Sequence, residues 1–465
     1  MPSADFLPVT PLSTLAGDLD AGRTTSRALV ETALARIAAD GGNGGDAFVF
    51  VDADRALREA DAQDALRRAG VKLSPLAGLP VSVKDLFDVA GQSTRAGSRV
   101  LDDAPAAAAD APTVARLRRA GAVLVGRTNM SEFAFSGLGL NPWYGTPRSP
   151  WRDADGEARV AGGSSSGAAA SVAGGMAAAG LGSDTGGSLR IPAAFCGLTG
   201  FKPTARRVPT SGTFPLSTTL DSLGAIAPSV ACCALLDRVL AGLPATGEAA
   251  QLLAVAPDGL RIAVLDNYVT EGMDAHVART WEATLARLSR ANVHLSLLRV
   301  PLLDTLPSIN RFGFSPIEAY ATHRTRVEAD ADRYDPRVLA RIRLGETASA
   351  ADYIALLAAR AAAIAQAHAA LDDFDAFIMP TVPVVPPAIA ALDADAAHFA
   401  KTNALVLRNP SVVNFLDGCA VSLPCAPRGE APVGLTVAGL AGADAHVLRV
   451  AAALEGVLRE TENGR

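Results

Sequence analysis

The chain has 465 residues, of which 49% are hydrophobic and 19% charged, with a formal net charge of −6. Together with a mean hydropathy of +0.23 and a pI near 5.6, this describes a globular chain with a sizeable core and argues against disorder and against a nucleic-acid surface, which carries a basic excess. Five cysteines (Cys196, Cys232, Cys233, Cys419 and Cys425) form no C-x-x-C pair, so they read as small buried hydrophobes and not as a disulfide framework or zinc knuckle.

The N-terminal residues lack the basic and continuous apolar regions of a signal peptide, which sets the cytoplasm as the expectation. Leu12 to Ala39 reads as helices with a turn at Gly17 to Gly22, and Thr24-Thr25-Ser26 offers an N-cap. After a Gly41 to Gly45 loop, Phe48 to Val51 reads as a buried strand and Asp52 to Ala69 as a charge-laced helix. Val81-Ser82-Val83 then runs into Lys84-Asp85. A lysine ending an apolar β-branched run either snorkels to the surface or has a specific task. Pro112 to Ala120 followed by Ala122 to Gly126 suggests a β-α-β unit. Asn129 to Gly145 is an irregular, aromatic-bearing stretch that either lines a site or merely connects elements.

Ala161 to Thr204 carries two Gly/Ser clusters, Gly162 to Gly167 and Thr185 to Ser188, joined by almost nothing but small residues. Such a run lets backbones approach closely and aims N–H groups at a reacting atom. Val160 to Ser183 is long and uncharged enough to span a bilayer, but its Gly, Ser and Ala content is too weakly apolar for one. Further on, Leu235 to Ala254, Met273 to Ala291, Ala350 to Leu371 and Ala445 to Arg459 read as helices. Arg261 to Leu265, Phe377 to Pro383 and Val433 to Ala438 read as strands. There is no fixed-period repeat and no low-complexity linker. The expectation is a single α/β domain over 1–465: a helical N-terminal region to about 70, a Gly/Ser core over about 75–230, and the remainder from 231. Its centre would be a large mixed, mostly parallel sheet covered by helices on both faces.

All six histidines lie beyond the Gly/Ser run, and none forms an H-E-x-x-H pair. Neither glycine cluster is a phosphate loop, and Gly180-x-Gly182-x-x-x-Gly186 lacks the acidic residue a dinucleotide site needs. Serine–lysine chemistry remains. A serine hydroxyl needs a base to take its proton, and a lysine kept neutral by burial can serve. Lys84 is the candidate base.

The block GGSSSGAAASVAGG…GSDTGGSLRIPAAFCGLTGFKPT, with VSVKD, TNMSEF and MPT, resembles the amidase signature family over most of the chain. The resemblance implies that Lys84 is the catalytic lysine, Ser164 a bridging serine on a cis peptide and Ser188 the nucleophile. The two serines stand 24 residues apart, as in the family. It implies backbone N–H groups of Thr185, Gly186, Gly187 and Ser188 around an oxyanion, with Asp184, Arg190 and Ser165 as supporting residues. It implies a small-molecule amide as substrate, hydrolysed through an acyl-enzyme, with neither metal nor cofactor, nucleic acid nor membrane.

Within the family the fork lies between free-standing amidases and the glutaminase component of a tRNA-dependent amidotransferase. Arg341 matches the arginine that would take the glutamine carboxylate, but Leu407-Arg408 stand where an acid for its ammonium is expected, and Leu216 to Ser222 also departs from that component. These departures favour a free-standing bacterial amidase. Met130, Phe133, Trp143, Phe312 and Arg341 are the candidate substrate contacts; the aromatics would furnish an apolar or aryl pocket for the substrate, although aromatics more often form core than pocket. A catalytically silent scaffold protein is the third reading, against which the intact Lys84, Ser164 and Ser188 argue. A homodimer stays open, and a partner subunit follows only from the amidotransferase reading.

Overall fold

The computed structural model describes residues 9–39, 42–247 and 251–463. Among these, eleven strands form one sheet: β1 (Phe48–Phe50), β2 (Pro80–Lys84), β3 (Val123–Thr128), β4 (Ala179–Asp184), β5 (Thr199–Lys202), β6 (Ser222–Ala227), β7 (Arg261–Leu265), β8 (His294–Leu298), β9 (Ala376–Pro380), β10 (Cys419–Pro424) and β11 (Gly434–Gly439). Their spatial order is β1-β3-β2-β4-β6-β5-β10-β11-β9-β7-β8. The sheet is mixed, as the alternation of helix and apolar strand suggests, but parallel pairing is not the majority. Only β2–β3, β2–β4, β7–β8 and β7–β9 run parallel. The centre is antiparallel because β4, β6, β5, β10, β11 and β9 reverse at each step, while helical crossovers needed for parallel pairs sit on the flanks.

Strand alternation sends side chains to two cores. Val81 and Val83 of β2, with Leu181 of β4 and Ala225 of β6, join one large cluster that includes Val230, Leu236 and Leu454 from helices Val230–Ala241 and Asp444–Asn463. Val123, Val125 and Ile226 face the other way, onto Ala168, Ala169 and Val172 of helix Ser166–Ala173. Helices therefore cover both faces. The small residues of Ser166–Ala173 have a geometric cause: a Cβ on Gly182 of β4 would lie 2.7 Å from Ser165 Oγ, and one on Gly180 3.0 Å from Ala168 Cβ. Larger residues there would push the serine cluster off the sheet.

The run from Val160 to Ser183 is thus not one span but a helix, a turn at Gly174–Gly175 and a strand, nearly all buried. Among the described residues, the one helix long and apolar enough to cross a membrane by length and composition is Ala350–Leu371. It turns Leu356, Ala363, Ala367 and Leu371 into the fold.

Several element boundaries differ from the sequence reading. Gly17 lies inside helix Leu12–Asp20, while Thr25 caps the next helix through Ala28 N. Phe48–Phe50 is an edge strand with Phe50 exposed, not a buried one. The helix expected from Leu235 to Ala254 runs over Val230–Ala241, because Ser229 caps its start and Gly242 ends it in the left-handed conformation. Parts of that expected helix and of the Gly41 loop lie outside the described residues. Helices Phe314–Asp330, Pro336–Arg343 and Ala396–Phe415 were not among the expected elements; the last carries Pro410 in its interior. All five cysteines are buried thiols.

Candidate active site

Parallel pairing of β2 with β4 brings Lys84 beside Ser183 near the end of β4. Lys84 is fully buried, and its Nζ lies 2.7 Å from Ser164 Oγ, 3.0 Å from Ser165 Oγ and 2.8 Å from Ser183 Oγ. It does not snorkel. Burial pulls its pKa from 10.5 down to about 7, against an upward pull first from Asp221 and then from Asp184. A neutral amine offers two N–H donors and one lone pair, which matches three hydroxyls when one of them donates.

The Gly163–Ser164 peptide bond is cis. Two contacts from the 129–145 loop hold it: Gly163 N donates to Gly137 O at 2.8 Å and Ser131 N donates to Ser164 O at 3.2 Å. That loop therefore lines the site. Ser165 N donates to Ser188 O at 3.2 Å, joining the two Gly/Ser clusters.

Asp184, at the end of β4, organises the second cluster. It accepts from Gly187 N at 2.8 Å, Leu189 N at 3.1 Å and Asn414 Nδ2 at 2.9 Å, and pairs with Arg190 at 3.0 Å; the side chains of the ion pair are wholly buried. Burial alone would raise the Asp184 pKa, but the Arg190 guanidinium, helped by Lys202 and Asn414, holds it well below the usual carboxylate range. Arg190 Nη2 also donates to Asn414 Oδ1 at 2.6 Å.

One expected role changes here. Gly187 N–H is committed to Asp184, so it is a strut of the turn and not an oxyanion donor. Among the described residues, the N–H groups of Thr185, Gly186 and Ser188 have no acceptor within the protein. Gly187 has φ +126°, and a Cβ there would meet Ile191 and Pro410 at 2.6 Å. Glycine is required for the turn's shape.

The candidate substrate residues divide. Arg341, on helix Pro336–Arg343, sits 4.6 Å from the centroid of Phe135. Among the described residues no carboxylate pairs with it, its Nε has no partner, and burial lowers its pKa to about 10. Leu407 approaches both Gly137 and Gly186, so the loop bearing Phe135 adjoins the oxyanion turn. Phe133 packs with Phe214, His323 and Tyr334, centroids 5.0, 4.3 and 5.5 Å away. Phe214 in turn lines a cavity with Ser183, Thr185 and Asp221. Trp143 donates through Nε1 to buried Glu132 at 2.8 Å. Met130 is buried against the Gly97 turn, a core position. Phe312 is partly exposed under the Arg311 guanidinium, and it is Phe314 that is buried against Phe415.

Ser183, Asp221, Asn414 and Ser131 were not singled out from the sequence. Ser183 had a signal, since it lies two residues before Thr185 in a strand ending at the site. The others come from distant segments.

The amidase family model matches residues 28–448. The chain belongs to the amidase signature family. It is 36% identical over 420 residues to the 2-amino-5-chloromuconic acid deaminase of Comamonas testosteroni, covering 89% of this chain and 88% of that one. It is 33% identical over 473 residues to the A component of the glutamyl-tRNA(Gln) amidotransferase of Chromohalobacter salexigens, covering 95% of each. It is 35% identical over 380 residues to AtzE, a component of the 1-carboxybiuret hydrolase of Pseudomonas sp. (strain ADP), covering 79% and 80%. A crystal structure of an amidase matches with a TM-score of 0.85 and 31% identity, over 96% of this chain and 99% of that one. The family supports amide hydrolysis.

Proposed function

We propose that this protein is a free-standing amidase that hydrolyses a small, carboxylate-bearing amide through an acyl-enzyme on Ser188. The observation that carries the reading is the 2.7 Å contact between buried Lys84 Nζ and Ser164 Oγ. Lys84, neutral at pH above about 7, takes the Ser164 proton as Ser164 takes that of Ser188, whose Oγ forms a bond to the amide carbon. The carbonyl electron pair moves onto oxygen, toward the free N–H groups of the Thr185–Ser188 turn. On collapse the C–N bond breaks, and the proton returns from Lys84 through Ser164 to the leaving nitrogen. Water then attacks the ester, giving its proton to the same relay, and Ser188 departs with a proton.

Arg341 supports the acid-bearing substrate, because a partly buried cation with no carboxylate partner among the described residues is completed by a carboxylate. The names of the deaminase and of the carboxybiuret hydrolase denote acids. Leu407 beside Gly186, where an acid for a substrate ammonium is expected, disfavours free glutamine. The glutaminase component of an amidotransferase stays the second reading, on a match covering 95% of both chains.

The test is a fluorophosphonate label followed by a panel of dicarboxylic acid monoamides, neutral aryl and alkyl amides, and glutamine. Labelling at Ser188 with preference for the acid monoamides is the expected result. Turnover of glutamine alone assigns the protein to the second reading, and labelling elsewhere overturns the nucleophile.

A further inference from the structure

Asp184 and Asp221 both act on Lys84, yet only one of them carries a neutralising partner. Asp184 is paired with Arg190 at 3.0 Å and lies near Lys202. Among the described residues Asp221 accepts only from neutral donors: Thr185 Oγ1 at 2.6 Å, Leu216 N at 3.0 Å and Ser217 N at 3.1 Å. It lines the cavity whose wall also includes Ser183, the hydroxyl 2.8 Å from Lys84 Nζ. A carboxylate held by neutral donors, with no cation beside it, keeps its field.

We propose that Asp221 is a positioning residue that clamps Thr185 at the start of the oxyanion turn and, through its uncompensated charge, opposes the loss of Lys84's proton. This rests on Lys84 acting as the base. The two roles are linked by geometry: Asp221 fixes the Thr185 side chain while Asp184 fixes the Gly187 N–H, so the turn is held from both sides.

The other charges around Lys84 are accounted for. On the β3 side, Asp85 is paired with Arg127 at 2.7 Å. On the β4 side stand Asp184 and Arg190, with Lys202 of β5 beyond. From helix Phe314–Asp330, Glu318 reaches the 217–219 loop, accepting from Ser217 Oγ at 2.6 Å and Thr219 N at 3.1 Å. Among the described residues no carboxylate contacts Nζ directly. Burial, with a further push from Glu318, raises the Asp221 pKa to about 6 against its hydrogen bonds. Asp221 is therefore mainly ionised at pH 7, where Lys84 is half neutralised, and takes up its own proton about a unit below.

The sign is fixed. An anion favours protonated Lys84, so removing it lowers the pH at which the base becomes available. The experiment is the rate of Ser188 modification by a fluorophosphonate against pH, which needs no knowledge of the substrate. In Asp221→Asn the acid limb should move down by about half a unit or more. Asp221→Ser, which places no amide against Leu216 and Ser217 N–H, should move it the same way. Thr185→Val, which loses the clamp and with it a hydrogen bond that holds the Asp221 carboxyl down, should slow the plateau and move the limb less than either Asp221 variant. Limbs of both Asp221 variants coinciding with the wild type would overturn the proposal. Absence of Ser188 labelling in the wild type would instead overturn the catalytic reading, and this inference with it.

Discussion

Two lysines at the ends of neighbouring parts of one sheet are buried to the same degree and treated differently. Lys84, ending β2, is surrounded by three hydroxyls. Lys202, ending β5, donates to two carbonyls, Pro203 O at 2.8 Å and Gly418 O at 2.7 Å. Burial lowers both, Lys84 to about 7 and Lys202 to about 8, the latter sustained by nearby Asp184. Carbonyls only accept, so among the described residues nothing at Lys202 donates to the lone pair of a neutral amine, and the ammonium is favoured there. Hydroxyls donate or accept, so the shell of Lys84 fits the amine and the ammonium equally. The lesson is that burial alone does not make a base: the neighbours must tolerate both protonation states.

Four substitutions or titrations test that contrast. Lys84→Ala should lower turnover by about 10⁴-fold or more in steady-state assays with correctly folded protein, as removing a member of a nucleophilic relay does. Turnover near wild type would place Lys84 with Lys202 as structural. Arg190→Met should destabilise the fold by about 3 to 5 kcal/mol, because Asp184 is left buried and uncompensated. Chemical denaturation measures this, and a smaller loss would mean that Lys202 and Asn414 suffice for Asp184. Lys202→Met should cost about 1 to 3 kcal/mol by orphaning two carbonyls, with turnover retained. A large fall in turnover at intact stability would erase the contrast.

The fourth is the pH profile. The Lys84 pKa is depressed, so its useful neutral form is gained as pH rises through about 7. The rate should therefore fall toward tenfold per unit below that value. For stability the sign is the same. Between about 7 and the ordinary value of 10.5 the unfolded chain binds the extra proton at this site, so this one group's contribution rises with pH. A flat rate profile through pH 7 would contradict a lysine base.

What was legible in the sequence was what short-range chemistry fixes. Thr25 and Asp52 cap their helices, Gly121 ends one, and the Gly/Ser clusters make turns because only small residues allow the approach of helix Ser166–Ala173 to β4. Lys84 was legible as an anomaly, a charge at the end of an apolar run, and the resemblance gave it partners 80 and 104 residues away.

Tertiary structure alone decided how the segments meet. Sheet order β2-β4-β6 sets Ser183 on Lys84 and Asp221 on Thr185, and helix Ala396–Phe415 delivers Asn414 to the Asp184–Arg190 pair. The commitment of Gly187 N–H to Asp184 and the majority of antiparallel pairs were equally unreadable in the sequence. The physical reason is common to all of them. Hydrogen-bond partners and strand directions depend on which surfaces pack together, and packing is a property of the whole core, not of any window of sequence.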